Sequence, residues 1–294
     1  MKPFVITLWL LLAGGLSAAA AAQVVSVEDF EGRTVSLPAP AQRIVSLAPH
    51  SVENLFSAGA GDKIVGTVSH SDYPAQAGSI PRVGSFNAYS LEAIAALQPD
   101  LIVMWGSGNG LATLAKLEVL GVPVFVSEPR QLSDIARDIR ALGRLTGTET
   151  RSELEAQRIE KALAQLRQRY SQQQTLTVLY EIWNDPLQTI NGEHLISQVI
   201  ELCGGRNVFA DAATLAPRIN IESVLALAPQ AIVASGATDS RPQWLDDWRH
   251  YSALPAVKQN ALFFVDPDLL ERPTARVLLG AQSLCTQLDT LRGK

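Results

Sequence analysis

The chain has 294 residues, with 24 Lys and Arg side chains against 29 Asp and Glu, and a formal net charge of −5. A mildly acidic chain without runs of Lys or Arg is not expected to bind nucleic acid, because a phosphate backbone requires a basic surface. The length allows one large domain or two domains of ordinary size.

Residues 1–22 are typical of a secretory signal peptide. Lys2 is followed by an apolar run and an Ala-rich end, so we expect cleavage after Ala22. A membrane anchor is the alternative, but the apolar run is short for a bilayer span and no charged stop-transfer flank follows it. No Cys stands at the cleavage site, which argues against lipid anchoring. The sequence therefore predicts an exported, soluble protein.

Short β-branched runs bounded by turn residues alternate with helical patterns along the rest of the chain. This alternation predicts parallel strands joined by crossover helices, which is an α/β architecture. The N-terminal extension, residues 23–37, alternates in polarity around a Glu-Gly turn and indicates a small β-hairpin. The predicted strands cover residues 43–49, 63–68, 100–105, 122–127, 176–182, 230–235 and 261–266.

Residues 150–170 contain no glycine or proline and predict one long helix. Thr150 and Glu153 offer a capping box at its start. An α/β unit precedes this helix and another follows it, so a helix connecting two lobes fits better than a helix packed on one domain. Its apolar residues recur at spacings of 4, 3 and 4 and form one stripe. They are Ile159, Leu163, Leu166 and Tyr170.

One phrase occurs in both halves of the chain. SLEAIAALQPDLIVMWG occupies residues 90–106, and NIESVLALAPQAIVASG occupies residues 220–236, without a gap between the two registers. Chance similarity between common helix–Pro–strand connections is the alternative. Weaker sequence similarities between the two halves occur in the same order along the chain. We therefore infer two related lobes. These are residues 38–145 and 175–294, with the linking helix within residues 146–174.

Glu92 and Glu222 hold equivalent places in that phrase. Ser90 and Asn220 are preferred N-cap residues, so each Glu is expected in the first turn of a helix. The helix dipole alone favours an acidic side chain there by about 0.3–1 kcal/mol. The matched positions favour a further role, since one anionic residue per lobe suits a two-fold-symmetric partner.

The sequence contains two cysteines, Cys203 and Cys285. In an exported chain an even pair most often forms a disulfide, while two buried free thiols are the alternative. There is no CxxC redox motif, so a structural crosslink is expected.

Parallel strands bring their carboxyl ends to one edge of a sheet, and open α/β sheets bind ligands at that edge. The loops predicted there are rich in aromatic residues, which suits a large, flat or aromatic ligand. Each aromatic side chain taken alone more often packs in a core. The aromatic residues of these loops are Tyr73, Phe86, Trp105 and Trp183.

No catalytic signature is found. The glycine-rich residues 106–110 lack the Lys-Ser/Thr ending of a phosphate loop, and neither GxSxG nor HExxH occurs. His50 and His70 follow predicted strands, where an imidazole could reach the metal centre of a ligand, although ordinary loop roles are favoured. An exported α/β enzyme is the least favoured alternative. Its cleft carboxylates would be Asp72, Glu181 and Asp185.

Five segments carry a family resemblance that covers nearly the whole chain after the signal segment. They read RIVSLAPHSVENLFSAGAGDKIVGTVSHSDYPAQA, SLEAIAALQPDLIVMW, VIELCGGRNVF, INIESVLALAPQAIV and ERPTARVLLGAQSLC. Together they resemble the cobalamin-binding type of periplasmic substrate-binding protein, which serves an ABC importer. The SDYP segment, the Cys pair and the Glu-Arg pair near the C-terminus are the more specific matches. The other segments are shared with haem- and siderophore-binding relatives.

The resemblance implies a class III periplasmic binding protein, with two Rossmann-like α/β lobes, one long rigid linking helix and a ligand cleft between the lobes. It implies a non-enzymatic, monomeric protein of the periplasm that captures cobalamin or a related corrinoid. Delivery would be to a permease dimer with its ATPase, through peripheral contact with that membrane complex. No cofactor apart from the ligand and no resident metal are expected. Haem or a ferric siderophore is the alternative ligand.

The resemblance also assigns residues. The family's docking Glu residues fall on Glu92 and Glu222, and its pocket aromatics fall on Phe86 and Trp105. The pocket is lined differently elsewhere, because four positions that carry Tyr, Trp or another aromatic residue in the family carry His, Ala or Leu in this chain. These are His70, Ala216, Leu269 and Leu270. The expected ligand contacts are His70, Tyr73, Phe86, Trp105, Trp183, Asp268, Leu269, Leu270, Glu271 and Arg272.

Overall fold

The computed structural model describes residues 24–236 and 240–293. The predicted signal peptide lies outside these ranges. Within them, no helix is both long enough and apolar enough to cross a bilayer.

The described chain opens with an antiparallel hairpin of β1 (Val25–Glu28) and β2 (Thr34–Leu37). Gly32 occupies its turn with a φ of 71°, a conformation that glycine adopts without steric cost. The backbone N–H of Phe30 donates to the carbonyl of Val126 over 3.1 Å and fastens the hairpin to the protein. The predicted N-terminal hairpin is thereby confirmed.

The first half of the chain then builds a parallel sheet covered by helices. The strands of this half are β3 (Ile44–Ser46), β4 (Ile64–Gly66), β5 (Gly84–Ser85), β6 (Ala88–Tyr89), β7 (Leu101–Trp105) and β8 (Val124–Ser127). Its helices are α1 (Pro49–Ser57), α2 (Leu91–Ala96), α3 (Gly106–Asn109), α4 (Leu114–Glu118) and α5 (Leu132–Thr146), with 3-10 turns at Gly61–Lys63, Ala75–Ser79 and Leu111–Thr113. The parallel sheet has the order β4-β3-β7-β8, while β5 and β6 form a separate antiparallel ribbon.

Helix α6 (Glu149–Tyr170) connects the two halves, as predicted. The predicted capping box at its start is wrong, since the helix begins at Glu149 and the side chain of Glu153 pairs with Arg140 of α5 over 2.7 Å. The predicted apolar stripe is confirmed, because Ile159, Leu163 and Tyr170 are buried and Leu166 is half-buried. Helix α6 packs on α1 and α5 of the first half and on α7 and α11 of the second.

The second half repeats the plan. Its strands are β9 (Leu176–Glu181), β10 (Trp183–Asn184), β11 (Leu187–Gln188), β12 (Gly205–Asn207), β13 (Ala231–Ala234) and β14 (Leu262–Phe264). Its helices are α7 (Leu195–Leu202), α8 (Ile221–Leu227), α9 (Pro255–Lys258), α10 (Pro267–Leu270) and α11 (Val277–Arg292), with a 3-10 helix at Gln243–His250. The parallel sheet has the order β12-β9-β13-β14, and β10 pairs with β11 in an antiparallel ribbon.

The two sheets have equivalent strand orders, and the repeated phrase has equivalent geometry. The residues that follow α2 and α8, Gln98 and Ala228, both adopt a positive φ, of 48° and 46°. Asp100 and Gln230 then occupy the same place in each lobe. The backbone N–H of each donates to the start of the neighbouring strand, and the side chain of each accepts a backbone N–H from that start. Two related lobes explain this match better than chance does.

A continuous apolar core extends from the hairpin and first sheet through the linking helix to the second sheet. Ile159 and Leu163 of α6 belong to it together with residues of both halves. Each lobe has a further apolar cluster on the other face of its sheet. The Cys203–Cys285 disulfide ties the end of α7 to α11, with a Cα–Cα distance of 4.7 Å, and confirms the predicted pairing. The predicted architecture of two α/β lobes joined by one helix is confirmed.

Candidate ligand cleft between the lobes

A cavity of about 320 Å³ lies at the carboxyl ends of the strands and is lined by both halves of the chain. This is the edge at which parallel α/β sheets bind ligands. The first half contributes Trp105, Ser107, Glu128, Pro129 and Arg130. The second half contributes Glu193, His194, Leu195, Leu215, Leu270, Glu271 and Pro273.

Trp105 is the centre of an aromatic platform beside this cavity. Its ring lies 5.9 Å from the ring of Phe86, tilted by 45°, and 5.1 Å from the imidazole of His50, which meets it edge-on. His50 is buried, and burial followed by the positive charge of Arg272 lowers its pKa to about 3. The imidazole is therefore neutral near pH 7 and supports the indole by packing.

Asn109 holds the platform in place. The backbone N–H of Trp105 donates to its Oδ1 over 2.5 Å. Its Nδ2 donates to the carbonyls of Leu47 and Phe86 over 2.9 and 2.5 Å. One buried amide thus connects the end of β3, the β5–β6 ribbon and the end of β7. Sequence reasoning did not assign Asn109, which stands between Gly108 and Gly110 in the glycine-rich segment after the strand.

Gly108 explains part of the glycine-rich segment that follows β7. A Cβ atom at this position would lie 1.9 Å from the indole ring of Trp105, far inside contact distance. Because glycine has no side chain, the indole ring can lie over the loop. Gly108 therefore serves the platform.

Glu128 lines the same wall of the cavity with its carboxylate held in place. The backbone N–H and the hydroxyl of Ser107 donate to its two oxygens over 2.6 and 2.9 Å. Arg130 lies 3.7 Å from the carboxylate. This wall presents polar groups of both signs next to the aromatic platform.

An ionic cluster joins the lobes beside the cleft. The guanidinium of Arg272, from the second half, lies 2.9 Å from Glu53 and 3.0 Å from Asp72, both from the first half, and also 3.0 Å from Asp268. Arg276 lies 3.3 Å from Glu53. Burial raises the pKa of Glu53, against the opposing effect of the two arginines. We name these residues the interlobe ionic cluster.

Tyr73 and His70 are placed away from the platform. The guanidinium of Arg276 lies 4.2 Å above the ring of Tyr73, which borders a second cavity of about 230 Å³ next to α6 and α11. His70 is exposed, with a φ of 63° in the loop after β4, and it does not line the cleft cavity. Their predicted ligand contacts stay predictions.

The other predicted contacts lie in four different places. Leu270 and Glu271 line the cleft cavity, but Leu270 is fully buried and forms its floor. Leu269 is half-buried on α10, outside the cavity lining. Asp268 and Arg272 belong to the interlobe ionic cluster. Trp183 is exposed on the β10–β11 ribbon and donates its indole N–H to its own loop at the carbonyl of Asp185 over 2.8 Å.

His194 is a cavity residue that sequence reasoning missed. It caps α7, and its Nδ1 accepts the backbone N–H of Ile196 over 3.2 Å. Burial lowers its pKa to about 4, so it is neutral near pH 7 with the proton assigned to Nε2. No sequence pattern marks a His as a helix cap. In the described part of the chain, no three His, Cys, Asp or Glu side chains cluster in a way that would hold a metal ion.

Glu92 and Glu222 occupy the first turns of α2 and α8, as predicted. The side chains of Ser90 and Asn220 each accept a backbone N–H three residues further on, which makes them the N-caps. Both Glu side chains are exposed. A hydrogen bond from its own backbone N–H, followed by one from the hydroxyl of Ser90, lowers the pKa of Glu92.

The chain is similar to known proteins over most of its length. The family model described as periplasmic binding protein matches residues 44–269. Vitamin B12-binding proteins are 37% identical over 252 residues in Vibrio cholerae and 34% identical over 255 residues in Vibrio campbellii. These matches cover 85% and 87% of this chain and 90% and 92% of the relatives.

Solved structures give the same result for the fold. The crystal structure of the periplasmic vitamin B12 binding protein BtuF of Vibrio cholerae superposes with a TM-score of 0.79 at 36% identity, covering 87% of this chain and 99% of that one. The periplasmic heme-binding protein RhuT from Roseiflexus superposes with a TM-score of 0.74 at 24% identity, covering 84% and 97%, and shows a likeness of fold. The matches confirm the prediction of a solute carrier and not an enzyme. This chain belongs to the periplasmic binding protein family.

Proposed function

We propose that this protein binds a corrinoid of the cobalamin type in the periplasm and delivers it to an ABC importer. The observation that carries the proposal is the platform of Trp105 and Phe86, which opens on an interlobe cavity. The similarity over most of the chain to relatives named vitamin B12-binding protein supports this choice of ligand.

The chemistry of the cleft suits a flat macrocycle with polar substituents. An indole face offers a large apolar surface at low cost in conformational entropy. Glu128, Arg130 and Glu271 offer donors and acceptors around it for the amide groups at the edge of a corrin. Drug-sized ligands usually occupy pockets of roughly 300–1,000 Å³, so a larger corrinoid would extend from this cavity across the mouth of the cleft.

Delivery would use the exposed first turns of α2 and α8. Glu92 and Glu222 each place one carboxylate on one lobe, which suits a two-fold-symmetric permease with basic residues at matching positions. In this proposal the protein is a monomer that reaches the periplasm by means of a signal peptide at residues 1–22. Its contact with the membrane is peripheral, through the complex of the permease dimer with its ATPase, and it needs no cofactor beside its cargo.

Calorimetric titration of the purified protein tests the ligand. We expect one cyanocobalamin per chain with sub-micromolar affinity, and weaker binding of haemin and of a ferric siderophore. Trp105→Ala should weaken cobalamin binding by about tenfold or more, because it removes the platform. Trp244→Ala, which removes an indole outside the cleft lining, is the matched control and should bind normally.

Two results would contradict the proposal. Failure to bind both cobalamin and cobinamide would remove corrinoids as the cargo. Preferential binding of haemin or of the siderophore would assign the cleft to the alternative ligand class in the same architecture.

A further inference from the structure

The second lobe contains another cavity, of about 220 Å³, which shares no lining residue with the cleft. It lies where β9 ends, between the β10–β11 ribbon, the start of α8 and the 3-10 helix at Gln243–His250. We call it the C-lobe cavity. Its lining residues are Glu181, Asn184, Leu187, Ile221, Trp244, Asp247, Trp248, His250 and Tyr251.

Aromatic rings form much of its wall. The rings of Trp248 and Tyr251 are 5.8 Å apart with an angle of 52° between their planes, and Trp244 lines the same cavity. The indole N–H of Trp248 donates to Glu181 Oε2 over 2.7 Å and fixes the ring against the carboxyl group. Aromatic faces of this kind attract cations through the ring quadrupole, and Trp does so most strongly.

Glu181 is a buried carboxyl group without a cationic partner among the described residues. The exposed fraction of Glu181 is 2%, and its carboxyl group accepts a hydrogen bond from the Trp248 indole. Its charged neighbour in the cavity is Asp247, which carries the same sign. Burial is the main cause that raises the pKa of Glu181 to about 8; the Trp248 hydrogen bond opposes this effect and Asp247 adds to it. A buried acid of this kind normally finds a positive charge or loses its own.

We propose that the C-lobe cavity binds a small organic cation of the quaternary ammonium type. The cation would rest against Trp244, Trp248 and Tyr251, with the carboxylates of Glu181 and Asp247 balancing its charge. A weakly hydrated organic cation suits aromatic walls, whereas a small metal ion prefers a closed set of oxygen ligands.

The proposal has a defined pH dependence. A bound cation favours the ionised form of Glu181, whose pKa is about 8 without the cation, so affinity should rise between about pH 6 and pH 9. Asp247, His250 and Tyr251 are the other titratable groups that line the cavity. A Glu181 variant is therefore needed to separate its contribution from theirs.

Calorimetry with choline and its uncharged isostere 3,3-dimethyl-1-butanol tests the inference on the full mature protein. At about pH 9 we expect the affinity for choline to exceed the affinity for the isostere by about tenfold or more. This difference in affinity should be smaller at about pH 6. Glu181→Gln keeps an acceptor for the Trp248 indole and removes the charge, so it should abolish both the preference and most of its pH dependence. Glu149→Gln, an exposed change on α6, is the matched control and should behave as the wild type.

Trp244→Leu provides a second variant if Glu181→Gln does not fold, and it should weaken choline binding while the isostere is affected less. Equal binding of choline and its isostere, or no binding of either at millimolar concentration, would overturn the inference. Normal choline binding by Glu181→Gln would also overturn it. Cobalamin titration of the same preparations reports on the cleft separately, because the two cavities share no residue.

Discussion

Single residues fix the aromatic platform, and two of them do so without touching the cavity. The side chain of Asn109 binds the backbone of both Trp105 and Phe86, and Gly108 leaves room for the Trp105 ring. The sequence predicted that Phe86 and Trp105 belong together. It did not reveal their supports, because a buried amide and a close ring contact depend on how three separate loops meet.

Gly108→Ala should weaken cobalamin binding by about tenfold, or roughly 1.4 kcal/mol, because the new methyl group displaces the Trp105 ring. Thermal unfolding should change much less than affinity, since the loop lies at the edge of the fold. Gly78→Ala is the matched control, because a Cβ there meets nothing within 4 Å. An unchanged affinity in Gly108→Ala would show that the ring position does not matter for binding.

Elements of secondary structure were mostly visible in the sequence. Each of the seven predicted strands is present, because a β-branched run between turn residues is a local signal. Strand β12 was missed, since its residues Gly205–Asn207 carry no apolar pattern and pair only through the backbone with β9. The predicted capping box of α6 failed for a related reason: Glu153 is engaged by Arg140 of another helix.

The paired Glu residues provide a prediction at this scale. Glu92→Ala combined with Glu222→Ala should leave cobalamin affinity unchanged and reduce cobalamin uptake or binding to the permease. Both side chains are exposed at helix starts and line neither cavity, so binding of the ligand has no need of them. Uptake can be measured with labelled cobalamin in cells that depend on this protein.

A control for that experiment changes two other exposed Glu residues, with Glu149→Ala and Glu201→Ala. This variant has the same net charge as the first and should transport normally. If both double variants transport at the wild-type rate, the docking role of Glu92 and Glu222 is refuted. If both are impaired equally, overall charge and not the matched positions is responsible.

The whole molecule is held together at its centre by apolar packing around α6 and by the interlobe ionic cluster. One apolar core includes residues of both lobes and of the linking helix α6. Burying the carboxylate of Glu53 is unfavourable unless Arg272 and Arg276 stay beside it. The cluster therefore disfavours separation of the lobes, since opening would leave these charges unpaired.

Arg272→Ala should lower the free energy of unfolding by about 1–3 kcal/mol, because it removes the nearer of the two cationic partners of the buried Glu53 carboxylate. Chemical denaturation measures this change. Arg249→Ala breaks an exposed ion pair with Asp246 and should cost less than about 1 kcal/mol. A similar, small effect of the two substitutions would show that the cluster does not hold the lobes together.

The sequence by itself determined the α/β class, the duplication, the linking helix, the disulfide and the helix-start positions of Glu92 and Glu222. Each of these depends on local periodicity, on a repeated register or on the pairing of two cysteines. Only the tertiary structure decided which side chains share a cavity. It separated Tyr73 and Trp183 from Trp105, brought His194 and Glu128 to the cleft, and enclosed Glu181 among aromatic rings. The physical reason is that burial and side-chain contact depend on how distant segments pack, and a spacing pattern along the chain does not encode those distances.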